Sequence, residues 1–139
     1  MSKLLIDTNI LIYGIDEDSK FFKKSRQILD NPVFEHQLFT TSKNLVEFLT
    51  VTTRSSGYGL EIEKALKILS EIIQRIQIIY PSPDSFAILL NLAKHYRPLG
   101  LKIHDFEIIS IGLASGIYKV ATFNQKDFRT IKEISLLSL

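Results

Sequence analysis

Four places in the chain put oxygen donors where folding can concentrate them: Asp7, Glu47, Asp105, and Asn124 or Asp127. Carboxylate and amide oxygens, with no cysteine and no paired histidine among them, are the donor set of hard divalent ions, which selects Mg2+ or Mn2+ over Zn2+. Mg2+ ordinarily takes one or two carboxylates and keeps several waters, so room is left for a phosphate oxygen and an activated water. Two like charges ~4 Å apart repel by about 4 kcal/mol at an effective dielectric of roughly 20, so such a group needs a compensating cation. The sequence places no Lys or Arg inside it.

The elements that must position these residues can be read from the apolar pattern. Leu4, Leu5 and Ile6 show no apolar/polar alternation, the mark of a strand covered on both faces, and Asp7 stands at its C-terminal tip, where parallel sheets place their ligands. Asp7 would also serve as the cap of a following helical turn over Asn9 to Tyr13. Asp16, Glu17, Asp18 and Ser19 precede an amphipathic helix from Lys20 to Leu29; such a cluster could hold a metal, but the more natural role of these acids is to complement the helix dipole. Asn31-Pro32 ends that element. Leu38 to Thr41 reads as a second strand, and Ser42 opens a helix through Val51. Leu45, Val46, Phe48, Leu49 and Val51 cover most of that helix's circumference. The pattern predicts a largely buried element, in which Glu47 either needs a partner or an ion or lies on the one exposed edge.

Further along, an amphipathic helix from about Leu60 to Ile73 reads as scaffold. Ile76 to Tyr80 is a third strand, and Pro81-Ser82-Pro83 leads into a helix over Ser85 to His95. The loop from Arg97 to Lys102 precedes a helix with Asp105 in its first turn and small Gly112 suited to close packing on the sheet. His104 and Glu107 flank Asp105 but project elsewhere around a helix, so both are left out of the site. Tyr118 to Thr122 and Ile134 to Leu137 complete the strands. Strands alternating with helices define an α/β fold: three layers, a mostly parallel twisted sheet with helices on both faces, and one domain over residues 1–139.

Composition sets the remaining bounds. With 45% hydrophobic and 23% charged residues, the 139-residue chain suits one ordinary soluble domain. The lack of cysteine excludes disulfides and thiolate metal sites, and without a signal-like N-terminus or a membrane-length apolar run the expected location is the cytoplasm. A net charge of +2 makes it no general polycation, so any nucleic-acid contact must be local. Gly-rich phosphate loops are absent, and Asn9 stands where an aspartyl phosphotransferase would carry the second Asp of Asp-x-Asp.

Together, Asp7-Thr8-Asn9-Ile10-Leu11, the helix Asn44-Leu45-Val46-Glu47-Phe48, His104-Asp105-Phe106-Glu107-Ile108-Ile109, and Ala121-Thr122-Phe123-Asn124-Gln125-Lys126-Asp127-Phe128 resemble the PIN-domain ribonucleases. In length and compactness the chain is most similar to the toxins of VapC-type toxin–antitoxin pairs. The resemblance runs from residue 3 to about 137. It implies a central first strand, divalent-metal-dependent RNA cleavage, a homodimer and inhibition by a small antitoxin. Asp7, Glu47 and Asp105 match the family's three central acids. At the fourth position, where the family often has Asp, this chain has Asn124, with Asp127 three residues on.

RNA must approach an acidic crevice, so cations should ring its mouth; those nearest the strand tips in sequence are Lys43, Arg97, Lys102 and Lys126. The competing reading is a catalytically silent PIN-like module that binds RNA or a protein. Three buried acids without a metal would then cost stability to no purpose, which counts against it.

Overall fold

The apolar run behind Asp7 forms β1 (Ser2–Ile6), whose Leu4, Leu5 and Ile6 are all buried. In the computed structural model, which describes residues 2–30 and 36–139, β1 is the middle of a five-stranded sheet in the order β3-β2-β1-β4-β5. The neighbours are β2 (His36–Thr41), β3 (Gln77–Ile79), β4 (Lys119–Ala121) and β5 (Ser135–Leu136). Every pairing is parallel, with Leu5 opposite Phe39 on one side and Val120 on the other. All strand tips therefore face the same edge.

Both faces of β1 are covered, as its unbroken apolar run requires. Leu4 and Ile6 pack with Ile10, Leu11, Leu29, Leu45 and Phe48, side chains supplied by α1 (Thr8–Tyr13), α2 (Phe22–Asp30) and α3 (Ser42–Thr53). Leu5 points the other way, into Phe39, Ile108, Ile117 and Val120. That side belongs to α6 (Lys102–Ala114), which lies against β1 so closely that a Cβ on Gly112 would come 3.0 Å from Leu5 Cδ2. A third cluster of Leu92, Phe106, Ile109, Phe128 and Ile131 joins α6 to α5 (Pro83–Tyr96) and α7 (Gln125–Phe128).

Local chemistry explains the boundaries. Ser82 Oγ accepts from Ser85 N at 3.0 Å while Ser82 N donates to Ser85 Oγ at 2.8 Å, a reciprocal cap with Pro83 in the first turn of α5. Arg97 ends that helix in the left-handed region at φ 53°. The scaffold helix between α3 and β3 is α4 (Ile62–Ile72).

Two expectations need correction. Helix α3 is one-sided: it buries Asn44, Leu45, Phe48 and Thr52 but leaves Val46 63% exposed and Glu47 exposed, because its neighbours α1 and α4 cover only one flank. Glu47 is thus not a buried acid in want of a partner. Helix α2 starts at Phe22, so Asp16, Glu17 and Asp18 lie before its first turn; Asp16 instead caps Asp18 N and accepts from the Tyr58 hydroxyl at 2.8 Å. The Asn31-Pro32 boundary lies outside the described residues.

Candidate active site

Asp7 leaves β1 with its backbone N–H still in the sheet, donating to Ala121 O at 3.0 Å. The residue is 9% exposed, and its carboxylate is held from three strand tips. Oδ1 accepts from Thr8 N at 2.8 Å and from Asn44 Nδ2 at 3.3 Å. Oδ2 accepts from Thr122 Oγ1 at 2.7 Å and, at the 3.5 Å limit of a hydrogen bond, from Asn9 Nδ2. Burial pushes the Asp7 carboxyl above the usual range and the Glu47 charge adds to that, while Thr122, Thr8 and Asn44 pull the other way. The net direction is up, so this is an acid whose charge wants a cation.

The donors around Asp7 are the part that residue-type reasoning missed. Asn44 sits in the first turn of α3, where its Oδ1 accepts from Thr41 N and Oγ1 at 3.2 and 2.7 Å, and its Nδ2 reaches Thr8 Oγ1 at 2.9 Å. Thr122 Oγ1 also accepts from Asn9 Nδ2 at 3.2 Å and Asn124 N at 3.0 Å. One signal was available: Asn44 three residues after Thr41 is the spacing of a reciprocal helix cap.

Asp105 stands in the first turn of α6 and is half-buried. Desolvation, then the charges of Asp7, Asp127 and Glu47, push its carboxyl up to about 6, against a lowering by Lys102. The four acids singled out from the sequence therefore share one electrostatic neighbourhood. The expectation that no cation lies among them fails: Lys102 Nζ is 3.6 Å from Asp127 Oδ1 and acts on Asp105 as well. Asn124 and Asp127 are partners, Asn124 Nδ2 donating to Asp127 Oδ2 at 2.7 Å.

Of the other cations, Lys43 Nζ lies 3.5 Å from Glu107 Oε1, with His104 Nδ1 4.0 Å from the same oxygen. These residues and Glu47 line a cavity of about 310 Å3 between α3 and α6, whose lining includes neither Asp7 nor Asp105. Arg97 and Lys102 line a second hollow of about 310 Å3 with Asp127. Lys126 is exposed on α7.

Whether these donors fit a divalent ion can be judged from the oxygens. Among the described residues no three His, Cys, Asp or Glu side chains converge tightly enough to enclose one. An open, all-oxygen set of mutually repelling acids suits a hydrated Mg2+ or Mn2+, which needs only one or two carboxylates. At Asp7 the long 3.5 Å contact from Asn9 is the bond most easily given up.

An all-parallel sheet whose middle strand presents a buried carboxylate, with further acids gathered at the same edge, defines an α/β protein built around an acidic crevice. The chain belongs to the PIN-domain family, whose model matches residues 4–134. None of the curated proteins matches the chain in sequence. Among solved structures it is similar to VapBC2 from Rickettsia felis, bound there to a fragment of its promoter DNA, with a TM-score of 0.73 and 20% identity over 97% of each chain. VapBC-1 from nontypeable Haemophilus influenzae superposes with a TM-score of 0.70 and 18% identity over 98% of this chain and 97% of that one. VapC20 from Mycobacterium tuberculosis, a toxin that cleaves the sarcin-ricin loop, gives 0.69 and 11% identity over 92% and 95%. At such identities the likeness is one of fold.

Proposed function

We propose that the protein is a divalent-metal-dependent endoribonuclease, the toxin of a toxin–antitoxin pair, working in the cytoplasm as a homodimer restrained by a small antitoxin. The observation that carries this reading is Asp7, a carboxylate buried at the tip of the central strand with Asp105 within its field: burial raises both carboxyls, the Glu47 charge adds to the first and the Asp7 charge to the second. Membership of the PIN-domain family and the likeness to the VapBC structures support it. No described helix is long and apolar enough to cross a membrane. Exposed apolar pairs one turn apart, Phe86 and Leu90 on α5 and Ile62 and Leu66 on α4, offer surfaces for protein partners.

In this reading Asp7, Asp105 and Glu47 hold Mg2+ or Mn2+, with Asn124 and Asp127 at the fourth position. Held there, such an ion would supply charge neutralisation at the scissile phosphate and acidity to a bound water. The chain's own contribution is placement. Thr8, Asn44 and Thr122 fix the orientation of Asp7, and Lys102 balances part of the acid charge. Lys43, Arg97, Lys102 and Lys126 draw the RNA backbone toward the crevice.

The deciding experiment is cleavage of a labelled RNA with Mg2+ or Mn2+ and with chelator, alongside thermal melts. Metal-dependent cleavage that Asp7→Asn and Asp105→Asn abolish, with folding retained, is expected. A bound ion should also raise Tm by mass action. RNA binding without cleavage, and without a metal-induced rise in Tm, would make the protein a silent binding module.

A further inference from the structure

Phe123 directly follows Thr122, and its backbone N–H donates to Asn9 Oδ1 at 3.2 Å, so it belongs to the same hydrogen-bonded unit that holds Asp7. Its ring stacks on Phe21 with centroids 4.4 Å apart and planes inclined at 28°. Tyr13 closes the cluster, 5.1 Å from Phe21 and edge-on to Phe123 at 5.8 Å. Core packing accounts for part of this, since Tyr13 and Phe123 also touch the main apolar cluster. It does not account for the setting of Phe21. That ring is half-buried, has Lys20 Nζ over it at 5.1 Å from its centroid, and lines with Phe123, Lys20, Lys24, Gln125 and Leu139 a cavity of about 450 Å3. Among the described residues neither Lys20 nor Lys24 pairs with a carboxylate.

We propose that this cavity is a stacking subsite for one unpaired RNA base near the scissile phosphate, with Lys20 and Lys24 on the phosphates that flank it. The proposal rests on the ribonuclease reading and adds to it where a base sits. Unpaired bases are held on aromatic faces, and Lys20, whose ammonium lies over the Phe21 ring, would move from that face to a flanking phosphate as a base stacks there. The cavity lies within the range of single small-ligand sites, on the order of 300–1,000 Å3, which suits one base rather than a helix of a partner protein. A lysine rim suits a polyanion. The bonds through Asn9 and Thr122 join the backbone of Phe123 to the unit that holds Asp7, so a strand crossing Asp7 would present a neighbouring base toward this cavity.

The test uses short single-stranded oligoribonucleotides carrying 2-aminopurine at successive positions, bound to the full chain with Ca2+ in place of Mg2+. In the wild type one position should show stacking-quenched fluorescence. Phe21→Leu should abolish that quench and weaken binding about fivefold or more, the loss of one stacked base, whereas Phe21→Trp retains both. Lys20→Ala/Lys24→Ala should lower the slope of log affinity against log salt by about 1.4, at about 0.7 for each phosphate contact. Wild-type affinity and quench in Phe21→Leu would overturn the platform and leave this face to a protein, with the ribonuclease reading intact. Wild-type protein that binds none of the oligonucleotides and cleaves no RNA would overturn both.

Discussion

Thr122 Oγ1 donates to Asp7 Oδ2 at 2.7 Å, joining the tips of β4 and β1 across 115 positions of sequence. A hydrogen bond to a charged group is worth about 1.5–3 kcal/mol, and here it stabilises the ionised form of a buried acid. Thr122→Val keeps the shape and removes the donor. Stability at neutral pH should fall by about 1–3 kcal/mol, and metal-dependent cleavage by about tenfold or more, as Asp7 holds its proton to higher pH. Thr122→Ser should restore both. Denaturant titration and a pH–rate profile check this; an unshifted profile in Thr122→Val would remove Thr122 from the positioning of Asp7.

Asp105 makes the apoprotein pH-sensitive in a direction that can be worked out. Its carboxyl is raised from 3.8 to about 6. Between those values the folded chain binds more protons than the unfolded one, so stability falls as pH rises from about 4 to about 6 and levels off above. Below about 4 the penalty is absent. Asp105→Asn should flatten that fall, raising the apoprotein's Tm at pH 7 by a few degrees, and saturating Mg2+ should do the same for the wild type. Melts across pH 4–7, with and without metal, decide it. A steeper fall in Asp105→Asn would contradict the origin of the shift.

How the chain's pattern relates to this geometry differs from residue to residue. The β1 apolar run, Asp7 at its tip and the close packing at Gly112 were legible because burial on two faces and a small residue facing a strand have direct composition signals. The exposure of Glu47 was not, since Val46 and Leu49 look alike in sequence and only the placement of α1 and α4 decides which flank of α3 is covered. Lys102 as the counter-charge was also hidden: it is read as a loop cation until the turn into α6 swings it beside Asp127. The donors Asn44 and Thr122 lie within the segments that resemble the family, yet nothing local says that an amide at 44 and a hydroxyl at 122 meet one carboxylate at 7.

Lys102 should have opposite effects on ion and RNA. Its amine competes with a metal for the field of Asp105 and Asp127 but favours an incoming phosphate. Lys102→Met is therefore expected to tighten Mg2+ binding by a few-fold at most, because an exposed pair is worth only about 0–1 kcal/mol, and to weaken single-stranded RNA binding with a salt slope lower by about 0.7. Isothermal titration with Mg2+ and anisotropy with RNA separate the two. Weaker binding of both would mean that Lys102 acts through the fold of the Arg97–Lys102 loop.

The fourth position turns on the bond between Asn124 Nδ2 and Asp127 Oδ2, 2.7 Å long. The amide nitrogen is committed to Asp127, so the carbonyl oxygen is the end of Asn124 left for an ion or a water. Asp127 is occupied on both oxygens, by Asn124 on one and Lys102 on the other. On that ground Asn124→Ala should reduce cleavage more than Asp127→Ala does, by about tenfold against a few-fold. Asn124→Asp replaces the donor with a second carboxylate beside Asp127. In the absence of metal the like charges should lower Tm above the carboxylate range of pH; in Mn2+ the added charge should enlarge the metal-induced rise in Tm and increase the number of ions bound. Native mass spectrometry and melts at matched metal concentration read both effects. If Asn124→Asp leaves ion count, Tm and rate where they were, position 124 lies outside the metal's reach, and Asp127, released from Lys102 when RNA binds, becomes the fourth ligand.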